Sequence, residues 1–149
     1  MLNAIKNFFE ENLASDETED VESRLKLATA ALFIEMMQQD HEVLEEERMA
    51  VKDSLKEKFD LGQDEADELF NLALEEADQA TDYHQFTRLI AREYTQEQKV
   101  KVIEFLWMIA FADNQLDPLE EHMIRRIADL IYVPHKVMIQ MKLKVQGAL

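Results

Sequence analysis

The chain has 149 residues, 47% of them apolar, with a formal net charge of -16 and no cysteine. That length suits one domain with a core of its own. The missing cysteine excludes disulfides, thiolate metal sites and cysteine nucleophiles, while the acidic surface repels phosphate backbones and argues against nucleic acid.

With only 2 Gly and 2 Pro, a sheet protein would lack turns, so the composition points to helices. Leu2, Ile5, Phe8, Phe9 and Leu13 recur at helical spacing and predict a short amphipathic helix over 2–13. It can dock on the core, on a partner or on a membrane surface, although Lys6 as its only base argues against anionic lipid. Residues 14–20 read as an acidic linker, giving a division into 1–19 and a helical domain over 20–149. The second helix is expected over 20–39, capped by Asp20, with Ser23 and Arg24 outward and a broad apolar face around Leu25, Ala28, Leu32 and Met36.

A third helix over 44–59 turns Val51, Leu55 and Phe59 inward, and Gly62 supplies its stop. The fourth covers 63–79, and a short fifth begins at Thr81 or Asp82. Thr95-Gln-Glu-Gln98 is a capping box opening the sixth, over 96–112, whose Ile103, Phe105, Leu106, Trp107 and Ile109 make the most hydrophobic stretch of the chain. That helix should lie centrally beside its counterpart at 24–39. Asp117-Pro118-Leu119-Glu120 is a strong helix start for the seventh, and Pro134 opens the eighth. The expected fold is all-α: a single domain of eight short helices in two related halves. No stretch is apolar and long enough to span a bilayer, and no cleavable leader is visible, so the expectation is a soluble cytoplasmic protein.

One pattern occurs twice, 73 residues apart: an apolar helical run, an Asp, an aliphatic residue three later and a Glu seven later. Asp40 pairs with Asp113, Val43 with Leu116 and Glu47 with Glu120. An Asp at a helix C-terminus is unfavourable by roughly 0.3–1 kcal/mol against the helix dipole. A compensating partner is therefore expected. A hard divalent cation such as Ca²⁺ or Mg²⁺ is one candidate, with Asp40, Glu47, Asp113 and Glu120 as metal ligands. Backbone amides of the turn are the other. The spacing is not that of an EF-hand, whose loop needs twelve positions and a central glycine.

At these residues the chain resembles the tellurite-resistance TerB-like family. Ala112-Asp113-Asn114-Gln115-Leu116-Asp117-Pro118-Leu119-Glu120 follows that family's pattern with Asn where the family has Gly, a mild change at a left-handed helix exit. The first copy departs more, with His41 for Gly and Leu44 for the cap. The resemblance extends over about residues 20–146. It implies an all-helical domain of two related halves, a divalent cation at the matching acids, and a role in tellurite resistance and stress response. It further implies action through protein contacts at the inner face of the membrane.

Other chemistry is poorly supported. None of the four histidines has a Glu three residues before it, which excludes the di-iron pattern, and His41-Glu42 lacks a second His at zincin spacing. The lone histidines read as surface or satisfied residues. Met36, Met37, Met108, Met123, Met138 and Met141 lie on apolar helical faces and read as core rather than as soft-metal ligands. Glu45-Glu46-Glu47 reads as a solvated helix start. Arg125, Arg126, Lys136, Lys142 and Lys144 tint the C-terminal end basic, where it could meet the acidic half of a second copy in a homodimer. The sequence thus points to a non-catalytic domain that binds a protein partner. A metal-dependent hydrolase using the same carboxylates and a purely structural domain are the alternatives.

Overall fold

Helices start here where side chains can satisfy the first free amides. The computed structural model describes residues 17–39 and 43–148. Among these there are seven helices and no strand: α1 (Glu17–Met37), α2 (Glu45–Phe59), α3 (Gln63–Gln79), α4 (His84–Glu93), α5 (Gln96–Ala110), α6 (Pro118–Leu130) and α7 (His135–Gly147). The helix expected over 2–13 lies outside the described residues, as do Asp40, His41 and Glu42.

Several starts follow the sequence signals. The Gln98 amide donates to Thr95 Oγ1 at 3.2 Å and the Thr95 amide donates to Gln98 Oε1 at 2.8 Å, a complete capping box. Asp117 Oδ1 accepts from the Leu119 amide at 2.7 Å, with Pro118 in the first turn. Asp82 Oδ1 accepts from the His84 amide at 2.8 Å, so α4 begins two residues past that aspartate.

Other ends differ. α1 begins at Glu17, so Asp20 stands inside the helix rather than capping it. Ser23 is buried, not outward, because α1 packs against α2, α3, α4 and α5 and has little free face. Its small side chain fits where Arg24, which is exposed, would not. α2 is not stopped by Gly62. Asp60 takes the left-handed conformation (φ 54°), and the Leu61 amide returns to the Lys56 carbonyl at 3.1 Å. Gly62, with ordinary negative φ, instead precedes α3, its amide donating to Glu65 Oε1 at 3.3 Å.

The core lies between the two most apolar helices. Ala30, Leu32, Phe33, Ile34 and Met36 of α1 and Val102, Ile103, Leu106, Trp107 and Ile109 of α5 are completely buried. Phe33 and Phe105 meet at 6.0 Å between ring centroids with an interplanar angle of 54°, a tilted aromatic contact. Around this centre, α1 packs on α2 and α3, which touch each other, and α5 packs on α6 and α7, which do the same. Trp107 ties the second group together by donating its Nε1–H to the Met138 carbonyl at 3.1 Å.

Met108 breaks the apolar pattern of α5. It is 37% exposed because its side of the helix faces a surface groove between α2 and α7 rather than the core.

Candidate functional site: two acidic corners

The second corner is described throughout. After α5 ends at Ala110, the chain turns through Asn114, which adopts φ 64° as the left-handed exit requires. Asp113 is half-buried, and its Oδ1 accepts from the Gln115 amide at 3.1 Å. Leu116 packs against the core, Asp117 caps α6, and Glu120 is the third residue of that helix.

At the first corner the description resumes at Val43. Leu44 precedes α2 and has no side-chain acceptor with which to cap it. Glu47 does the capping in reverse: its Oε1 accepts from the Leu44 amide at 3.0 Å. Val43 packs against the core, as Leu116 does at the other corner.

Burial separates the glutamates. Glu45 and Glu46 are exposed, as expected of a solvated helix start, but Glu47 is 2% exposed, and so is Glu120. Reading Glu45-Glu46-Glu47 as one solvated run therefore fails for its last member. The signal was present in the helical register. Glu47 shares its face with Val51, Ser54 and Leu55, and Glu120 shares its face with Met123, Ile124 and Ile127, all buried. Each glutamate begins the stripe that faces the core.

A carboxylate taken out of water costs several kcal/mol unless charge or hydrogen bonds compensate. Two such groups stand at matched positions, the third residue of α2 and of α6. Of the four expected ligands, Glu47, Asp113 and Glu120 fall on described residues, and Asp40 does not. Among the described residues, no three His, Asp or Glu side chains converge closely enough to hold a metal ion.

A family model described as tellurite resistance protein TerB matches residues 26–143. This chain belongs to the TerB family. The match runs from within α1 to within α7 and takes in both corners. Neither the curated proteins nor the solved structures gave a match.

Elsewhere on this TerB-family domain, the histidines offer little. His84 Nδ1 stands 3.4 Å from Asp82 on a partly exposed surface, and His122 and His135 are exposed. The basic tint of the C-terminal end is largely consumed within the chain. Lys142 Nζ lies 2.8 Å from Glu121, Lys144 Nζ lies 3.0 Å from Glu104, and Arg125 reaches Glu121 at 3.8 Å. No described helix is long and apolar enough to cross a membrane.

Proposed function

We propose that this TerB-family chain is a non-catalytic protein-interaction domain whose matched acidic corners take one divalent cation, with Asp40, Glu47, Asp113 and Glu120 as ligands. The observation that carries the proposal is the paired burial of Glu47 and Glu120 at the third position of their helices. Oxygen donors alone suit a hard ion, Ca²⁺ or Mg²⁺, rather than a thiophilic one. Among the described residues these acids do not converge as a group of three, so binding would have to draw Glu47, Asp113 and Glu120 together around the ion. Bound there, it would offset the carboxylate charge and fix the two helix pairs as related halves of one rigid surface. The occupant of that surface is a protein, in a complex at the inner face of the membrane, and the context is tellurite resistance and stress.

A purely structural role is the competing reading, and two contacts favour it. Glu47 already accepts the Leu44 amide, and Asp113 already accepts the Gln115 amide. Calorimetric titration with Ca²⁺, Mg²⁺, Mn²⁺ and Zn²⁺ separates the two. Saturable binding that Asp113→Ala abolishes supports the cation. Unchanged binding in that variant removes it from this corner, and no binding to any of the four leaves the structural role. Turnover of phosphoester or ester substrates by the cation-loaded protein would overturn the non-catalytic assignment in favour of a hydrolase.

A further inference from the structure

A groove near the start of α1 has a volume of about 610 Å³ and is walled by two helix starts and two helix ends. Val21 and Leu25 come from α1, Phe59 from the end of α2, Tyr94 from the residue following α4, and Gln98 from the first turn of α5. Two cations stand in it, Lys26 and Lys58. Lys58 Nζ lies 4.7 Å from the Tyr94 ring centroid. In a chain with twice as many acids as bases, neither ammonium has a carboxylate within 4.0 Å among the described residues. Burial, and then Lys101, lowers the Lys58 pKa to about 8, so the groove holds its charge at a cost that a nearby carboxylate would relieve. Glu22 and Glu93 also line the groove, and Glu93 is engaged with Arg92 at 3.1 Å.

We propose that residues 2–13 of the same chain occupy this groove, their apolar side chains on Val21, Leu25, Phe59 and Tyr94 and their acids toward Lys26 and Lys58. Three observations select this occupant. The segment carries Leu2, Ile5, Phe8, Phe9 and Leu13 at helical spacing, an apolar stripe suited to an apolar groove. Its acids, Glu10 and Glu11, fall at the end nearer α1 and match the two unpaired cations in sign. The connection is also short. Val21 lies about 6 Å along α1 from Glu17 at helical rise. The residues from Leu13 to Glu17 can span about 13 Å when extended, so a fold-back onto the groove is within reach. The occupancy is independent of any cation at the acidic corners.

The chain lacks cysteine, so Asn12→Cys gives the intact protein a single site for a spin label. Occupancy predicts that the amide signals of Lys58, Phe59 and Tyr94 lose most of their intensity, while those of Met108 and Lys144, in the groove between α2 and α7, keep theirs. Adding Phe8→Asp and Phe9→Asp, which alter no groove residue, should restore the lost signals. Signals that stay intact in the singly labelled protein, or a loss that survives the paired aspartates, would overturn the proposal. So would a loss arising only between spin-labelled and isotope-labelled copies in a mixture, which would assign the groove to a second molecule.

Discussion

Glu47 and Glu120 stand at the same step of two different helices: each is the third residue, each begins a core-facing stripe, and each is 2% exposed. A buried acid at a helix start gains from the dipole, by roughly 0.3–1 kcal/mol, and Glu47 gains further from the Leu44 amide at 3.0 Å. The proposed cation would offset the carboxylate charge at both positions.

The first prediction concerns that charge. At a cation concentration of about 100 Kd, binding to the native state adds about 2.7 kcal/mol, which for a domain of this size raises Tm by roughly 5–10 °C. Glu47→Gln and Glu120→Gln keep an acceptor oxygen and the side-chain volume while removing the charge. Thermal unfolding with and without Ca²⁺ or Mg²⁺ should show that increment in the native protein and little of it in either variant.

Asn114 gives a prediction that needs no ion. Its φ of 64° costs an ordinary side chain about 1 kcal/mol. Asn114→Ala should lower stability by about that amount in denaturant titrations, whereas Asn114→Gly should equal or slightly exceed the native protein. Equal stabilities for Ala and Gly would mean that the turn relaxes out of the left-handed conformation.

Much of this architecture was legible in the chain because helix ends are local chemistry. Thr95 with Gln98, Asp117 with Pro118, and Asn114 each act within a few residues, and each does in the structure what its spacing predicts. What depends on neighbours distant in sequence was not legible. Ser23 is buried because four helices surround α1, and Met108 is exposed because two helices leave a groove over it. The end of α2 falls at Phe59 as the spacing predicts, but its stop is Asp60, a short polar residue that tolerates positive φ, rather than the more obvious Gly62. At the corners, the pairing of Glu47 with Glu120 was legible from spacing. Their burial needed the register of each glutamate against the apolar residues that follow it.

Trp107 anchors α5 to α7 through one hydrogen bond inside a fully buried site. Trp107→Phe removes both the donor and part of the ring, leaving the Met138 carbonyl without it and a void beside it. A loss of about 2–4 kcal/mol is expected from these two effects together. Chemical denaturation should show it with an unchanged m-value. A loss below about 1 kcal/mol would show that neighbouring side chains refill the space.

Tyr94 sets a pH limit. Burial pushes its phenol up to about 12, opposed by the hydroxyl–hydroxyl contact with Thr29 at 3.1 Å. The folded pKa is thus raised above the unfolded value of 10.0, so the native state holds this proton more tightly. Its contribution to stability is complete below pH 10 and is lost as pH rises toward 12. Tyr94→Phe should flatten the fall in stability across that window. A slope as steep in the variant as in the native protein would assign the fall to other groups.

The most direct test of the cation site is diffraction from crystals grown with Mn²⁺, whose anomalous signal locates the ion without reference to geometry. A single strong anomalous peak bounded by Asp40, Glu47, Asp113 and Glu120 is the predicted result. Peaks confined to surface carboxylates, with Glu47 and Glu120 satisfied by protein groups alone, would contradict it and leave the two corners as structural devices.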